Sequence, residues 1–507
     1  LATGFDEFDP VREYELGYSR FPDVISSIEF ERILSASGPS GGHVYRPSDH
    51  KEPEKIAFLQ CVGSRDEECG NTYCSSVCCM YATKEAVIAK EHAPGVEPTI
   101  FYIDMRAYGK DFDKYIDRAQ NQYGVRYIRS RVAKVDQGDD GTLDVVYVTP
   151  DDHVVHEAFD LVVLSVGLEA SKGTQELIKK LDLKRTPEGF AHTGTFSPLS
   201  TSRKGIYVCG AASGPKDIPE TVAQASGAAA EVGELLASKR NTLTLIKEYP
   251  PEIDVSGEPP RVGVFICHCG INIAGVVDVA AVEEYAKKLP YVVHAERNLF
   301  TCSQDTQEKM KAAIAQERLN RVVVSSCSPR THEPLFQETI HEAGLNPYLF
   351  DLANIRDQDS WVHMNQPVEA TEKAKDLVRM AVSRVVYQRP LHGQRLPITH
   401  SALIVGGGVA GMSAALKMSA QGYDTYLVER EGELGGNARH IHSTLRADDV
   451  QQVLADMIAQ IEADPRITVY THATLKEVDG FVGIFRSVIE QSGNGSGPTE
   501  HTVEHGV

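Results

Sequence analysis

Ala402-Leu403-Ile404-Val405-Gly406-Gly407-Gly408-Val409-Ala410-Gly411 runs an apolar strand into a glycine-rich turn and the start of an alanine-rich helix. Gly406, Gly408 and Gly411 are spaced as a turn that brings backbone close to a pyrophosphate at a helix N-terminus. The next apolar run, Thr425-Tyr426-Leu427-Val428, ends at Glu429, 18 residues after Gly411, where an acid can bind a ribose hydroxyl. Strand, glycines, helix and acid follow in the order of a dinucleotide-binding α/β unit.

Outward from this turn the same alternation recurs. Lys55–Gln60 reads as a strand, Ser75–His92 as a helix, and Thr99–Ile103 and Arg126–Ile128 as further strands. Leu143–Val148 reads as part of a β-ribbon, Leu161–Gly167 as a buried strand, Gly205–Gly210 as a short strand, and Ile218–Arg240 as a long helix. A Pro-rich stretch from Tyr249 to Pro260 marks a boundary. Beyond it lie strands at Val262–Ile266 and Arg321–Ser325, then helices near Asp357–Asn365 and Ala370–Tyr387. Ser492–Pro498 reads as a turn. The expected domains are 1–50 (a connector), 51–150, 151–250, a linker at 251–260, 261–398 and 399–507.

The 507 residues carry 42% hydrophobic and 24% charged side chains, ordinary for a globular protein. A net charge of -20 argues against a nucleic-acid partner. No apolar run approaches the roughly 20 residues of a membrane span. Ten cysteines without an export signal suggest a reducing compartment, so the cytoplasm is the expected location. Leu1-Ala2-Thr3-Gly4 and His505-Gly506-Val507 look like two parts of one strand, and the chain reads as a fragment.

Nine of the ten cysteines fall into two sets. Cys61, Cys74, Cys78 and Cys79 form the first, with Cys69 to spare; Cys267, Cys269, Cys302 and Cys327 form the second. Four thiolates converging on one point suit a [4Fe-4S] cluster, one sulfur per iron. The second set falls at strand ends, which converge along one edge of a parallel sheet. Structural zinc is the alternative, although the adjacent Cys78-Cys79 is awkward for it. Cys209 reads as a buried filler.

Glu433-Leu434-Gly435-Gly436-Asn437 resembles the second glycine pair of FAD-dependent two-dinucleotide flavoproteins, which implies FAD. Gly205–Gly210 with the helix from Ile218 resembles the other FAD contact of thioredoxin-reductase-like flavoproteins, an assignment that falls on Gly210 and Asp217. The plain alternative is a core strand and helix. Cys61-Val62-Gly63-Ser64-Arg65 stands where that superfamily has its nicotinamide loop, and its redox Cys-x2-Cys pair is missing.

Taken together, Cys61–Asp66, Tyr73–Ala82, Cys267-His268-Cys269-Gly270, Cys327–Glu333 and Arg356–His363 resemble the A subunit of heterodisulfide reductase, a family of FAD and iron–sulfur flavoproteins. The resemblance implies thioredoxin-reductase-like two-dinucleotide-binding segments plus a small α/β iron–sulfur domain. It also implies FAD, two [4Fe-4S] clusters, and single-electron transfer from flavin to clusters, with flavin-based bifurcation as a family capability. The partners it implies are other subunits of such a complex and a donor such as a hydrogenase, dehydrogenase or ferredoxin; a homodimer stays open. Lys84, on the helix leaving Cys79, is the candidate for tuning the flavin, with a solvated helix lysine as the alternative. The family places a 261–398-type domain first, then 399–507, then 1–250, so the order here is that of a tandem fusion or a permuted module. The ferredoxin motif Cys-x2-Cys-x2-Cys-x3-Cys-Pro is absent from this sequence. The flavoprotein subunit of a quinone-interacting membrane-bound oxidoreductase is a second reading, and a zinc scaffold a third.

Overall fold

In the computed structural model, residues 1–493 and 497–507 are described. The expected 492–498 turn therefore lies partly outside the described residues. Two compact units emerge: Leu1–Arg240 with Ile398–Val507, and Asn241–Pro397.

The first unit begins with β1 (Phe5–Glu7), β2 (Val24–Ser26), α1 (Ser27–Leu34), β3 (Lys55–Val62), α2 (Cys78–His92), β4 (Glu97–Tyr102), α3 (Phe112–Asn121) and β5 (Arg126–Arg129). Next come β6 (Val132–Gln137), β7 (Leu143–Val148), β8 (Val154–Phe159), β9 (Leu161–Val166), β10 (Leu168–Ala170), α4 (Lys172–Lys180) and α5 (Ile218–Leu236). A parallel sheet runs in the order β2-β9-β3-β4-β5. β3 and β9 are buried almost throughout, because a central parallel strand is covered on both faces. Phe30, Phe58 and Ile100 pack the helical face, and Leu59, Leu143 and Val145 pack under the antiparallel ribbon β6-β7-β8.

The second unit alternates β11 (Val262–Cys267), α6 (Val279–Ala286), β12 (Val292–Asn298), α7 (Gln304–Gln316), β13 (Arg321–Ser326), α8 (Pro329–Glu342), β14 (Phe350–Asn354) and α9 (Pro367–Val385). Its sheet is parallel throughout in the order β12-β11-β13-β14, so connections leave the central strand β11 in opposite directions. That reversal opens a crevice at the carboxyl ends of the strands.

The first unit resumes with β15 (Ser401–Val405), α10 (Val409–Ala420), β16 (Asp424–Val428), α11 (Val450–Ala463) and β17 (Ile467–Tyr470), a parallel three-stranded sheet. An antiparallel sheet of β18 (Ala473–Phe481), β19 (Ile484–Gln491) and β20 (Thr499–His505) follows. Lys417 on α10 bridges Glu231 at 2.9 Å and Glu234 at 2.6 Å on α5, so the first and last segments of the chain share one body. Among the described residues, no helix is long and apolar enough to cross a membrane.

Three expectations need correction. Gly205–Gly210 forms no strand: Tyr207 makes a single bridge to Ser200, and a 3₁₀ turn starts at Gly210. Its backbone bonds go to separate partners, Val208 N–H to the Leu199 carbonyl and Cys209 N–H to the Leu1 carbonyl, rather than along one ladder. The helix expected near Asp357–Asn365 is one π-turn, Arg356–Ser360, followed by turns; Ser360 Oγ donates to the Asn272 carbonyl and so ties the turn to the β11 edge instead of continuing a helix. The Pro-rich stretch is no free linker, since Ile253 N–H bonds the Gly344 carbonyl and Val255 is buried; the division falls at Arg240/Asn241.

Candidate functional site

The glycine turn between β15 and α10 has the backbone its sequence demands. Gly406 has φ 112°, and a Cβ on Gly411 would lie 1.8 Å from the Gly406 carbonyl oxygen, so helix and turn touch only through glycine. Gly408 faces open space, with nothing within 4 Å of where a Cβ would stand. The Glu433–Asn437 segment folds back on this turn: Gly435 N–H donates to the Gly407 carbonyl at 2.8 Å, and Gly436 lies against Gly408. Glu429, nearly buried, accepts from Gly407 N–H at 2.6 Å and from Glu431 N–H at 2.8 Å. Its remaining lone pairs leave room for a ribose hydroxyl. An open glycine cradle at a helix N-terminus fits a dinucleotide pyrophosphate.

A second element of the site is a mostly apolar cavity of about 560 Å³ in the first unit. One wall is the start of α5, with Ala211, Lys216, Asp217 and Ile218; another is the start of α2, with Ser76, Val77, Met80 and Tyr81. Gly210 has φ 68° and donates its N–H to Gln224. Asp217 caps α5, accepting from Glu220 N–H at 2.8 Å in a reciprocal capping box. Lys84 is placed elsewhere: its ammonium pairs with Glu31 of α1 at 2.5 Å and does not line the cavity. The intervening helix turns it onto the α1 side. The lysine in the cavity is Lys216, which sequence reasoning missed. It donates to the Gly210 and Gly214 carbonyls at 2.7 and 2.8 Å and to Ser213 Oγ at 3.0 Å, and burial lowers its pKa. Its place beside Asp217, just before the helix, was the available signal.

The first cysteine set gathers where β3 ends and α2 begins. Cys61 closes β3 in the left-handed region, φ 63°, and Gly63 follows where a Cβ would strike the Phe8 ring at 2.0 Å. Cys78 and Cys79 open α2. Burial raises the Cys61 thiol to about 11, with Cys79 and Cys74 adding to the rise. Burial pushes Cys78 higher still, opposed by the Tyr81 hydroxyl and reinforced by Cys61, Cys79 and Cys74. The four thiols thus lie within electrostatic reach of one another. Cys69 stands apart, with its Sγ 3.9 Å from Glu13 Oε1. It belongs to a group with Glu13 and Asp66 whose ligand atoms all lie within 4.8 Å of one another.

The second set lies on the carboxyl edge of β11, β12 and β13. Cys267 ends β11, Cys269 follows at φ 46°, Cys302 lies between β12 and α7, and Cys327 follows β13. Burial raises the Cys302 thiol, as do Cys327 and Cys269, while Arg356 lowers it. Thr301 N–H points at Cys267 Sγ across 3.4 Å. The π-turn joins this edge, since Ser360 Oγ donates to the Asn272 carbonyl at 2.6 Å. Ser325 Oγ, Ser326 Oγ and both carboxylate oxygens of Asp359 are buried without hydrogen-bond partners. Orphan hydroxyls next to thiols fit a centre with sulfide and thiolate acceptors.

Residues 404–469 match a model of an NAD(P)-binding Rossmann-like domain, and residues 70–229 match one of a pyridine nucleotide-disulphide oxidoreductase. The iron-sulfur A subunit of a CoB–CoM heterodisulfide reductase from Methanopyrus kandleri is 48% identical over 235 residues, 46% of this chain and 36% of that protein. Over about half its length, this chain is homologous to the A subunits of heterodisulfide reductases. The corresponding protein of Methanocaldococcus jannaschii is 42% identical over 50% of this chain and 39% of its own. In Methanothermobacter thermautotrophicus, the A subunit of an H2:CoB–CoM heterodisulfide, ferredoxin reductase is 46% identical over 46% of this chain and 36% of its own. The matches span under two fifths of these relatives. Among solved structures, thioredoxin reductase of T. acidophilum aligns at 14% identity and a TM-score of 0.31, over 46% of this chain and 63% of its own.

Proposed function

We propose that this chain is an electron-transfer flavoprotein module of a heterodisulfide reductase-type complex. It binds FAD in the first unit and one [4Fe-4S] cluster at each cysteine set, and it exchanges electrons with further subunits and with a donor such as ferredoxin or a hydrogenase. The observation that carries the reading is the cavity walled on one side by the flavin-contact segment at Asp217 and on the other by the cysteine loop at Ser76–Val77. Bound there, FAD supplies two-electron chemistry and the clusters accept single electrons. The chain's own residues do the rest. Gly406, Gly408 and Gly411 take the pyrophosphate at the α10 N-terminus, and Gly435 and Gly436 brace that turn. Lys216 holds a cation in the cavity and the α5 N-terminus adds its partial positive charge, both favouring a reduced, anionic ring. The mostly apolar walls offer a surface for the flat ring.

Iron–sulfur is supported over zinc by spacing as well as by donor type. A zinc ion with bonds of about 2.3 Å holds its sulfurs roughly 3.8 Å apart. Among the described residues, the group with all ligand atoms within 4.8 Å is Glu13, Asp66 and Cys69, and neither cysteine set is that tight. A cubane holds its ligand sulfurs farther apart than one ion does.

Anaerobic purification with iron, zinc and flavin counted per chain tests the reading. Bound FAD and about eight irons, four for each cluster, are the expected result. A colourless, zinc-loaded protein overturns it. Partition of electrons between high- and low-potential acceptors belongs to the same proposal, and is checked by reducing two acceptors at once with one donor.

A further inference from the structure

The loop after β4 carries charged groups to the first cysteine set. The Arg106 backbone N–H donates to Cys79 Sγ at 3.4 Å, and its guanidinium and the Cys74 thiol act on each other electrostatically. Arg65, in the left-handed region at φ 58° four residues after Cys61, brings a second guanidinium whose charge acts on the Cys61 thiol. One carboxylate, Asp104, holds both: it pairs with Arg65, and its Oδ2 accepts from Arg106 Nε at 3.3 Å and Nη2 at 3.4 Å. Arg131 and Asp66 nearby pair with each other and leave this balance unchanged. Two guanidiniums against one carboxylate leave one unit of positive charge facing the thiols. A purely structural ion pair would need only one arginine, and neither would have to reach a sulfur.

Positive charge and N–H donors at ligand sulfurs stabilise the reduced, more negative state of a cluster. We propose that Arg65 and Arg106, clamped by Asp104, are positioning residues that hold positive charge beside the Cys61, Cys74, Cys78 and Cys79 set and raise the reduction potential of the centre it ligates. The proposal rests on the reading of Cys61, Cys74, Cys78 and Cys79 as a cluster site.

The test uses the whole chain. In the iron-loaded protein, electron paramagnetic resonance during a redox titration compares wild type with Arg106→Gln, Arg65→Gln and Arg106→Lys. The expected result is one signal shifted to more negative potential in both glutamine variants and largely restored by lysine. The signal from the Cys267 set stays in place as an internal control of folding and loading. Two loaded clusters with unmoved potentials overturn the clamp and leave the cluster reading standing. A wild-type chain that takes up iron at the Cys267 set alone overturns the cluster reading, and the proposal with it.

Discussion

A thiol buried among other thiols resists ionisation, and Cys61 and Cys78 are held that way by burial before their neighbours add to it. A metal centre reverses the balance by supplying positive charge, so each thiol in the set should matter to loading. Cys79→Ser is expected to remove about four of the eight irons and leave the Cys267-set signal intact; iron analysis with resonance spectra checks it. Cys69→Ser should change neither, because Cys69 faces Glu13. Asp359 carries a different prediction. Burial raises its pKa to about 6, with Lys373 and His363 opposing, and neither oxygen has a partner. The folded chain therefore holds this proton more tightly than the unfolded one, whose carboxyl titrates near 3.9. Its contribution to stability is full below about pH 4 and lost as pH rises through about 6. Asp359→Asn should gain on wild type across that window, by on the order of 2 kcal/mol; a difference in Tm that stays flat with pH would contradict this.

At the scale of elements, Asp217 separates two roles that coincide in one side chain. Asp217→Ala removes the cap of α5 and should cost about 1 kcal/mol, whether or not flavin is present. Asp217→Asn keeps a capping oxygen, so any drop in FAD affinity in that variant belongs to the flavin; calorimetry on both variants makes the separation. Gly411→Ala should abolish FAD binding and destabilise the first unit, since its Cβ would meet the Gly406 carbonyl oxygen at 1.8 Å. Elements with a strong local signal were legible: β15 to β16, the helix after Cys79, and β11 and β13 all lie within a few residues of where periodicity put them. The segment at 205–210 misled because an apolar run reads as a strand, whereas here its backbone bonds are isolated ones to separate partners. Spacing along the chain placed Lys84 near the cysteines, and packing pairs its ammonium with Glu31.

At the scale of the whole molecule, residues 241–397 form a compact unit inserted between the two parts of another. The connecting stretch exposes Leu243, Leu245 and Ile246 at 91, 94 and 88%. Brief proteolysis is expected to nick first between Arg240 and Lys247, in this exposed stretch of the connection; cleavage inside β11 or β3 would contradict the division. The sequence by itself determined the chemistry on offer. Glycines demand left-handed backbone or close approach, and cysteines in fours supply thiolates, both of them local properties of residue type and spacing. Tertiary structure decided which of these groups meet. Lys216 rather than Lys84 enters the cavity, Arg65 and Arg106 reach the thiols through one shared carboxylate, and Cys69 turns aside to Glu13. Such contacts join residues distant in sequence, and only the packing of strands and helices brings them within hydrogen-bonding reach.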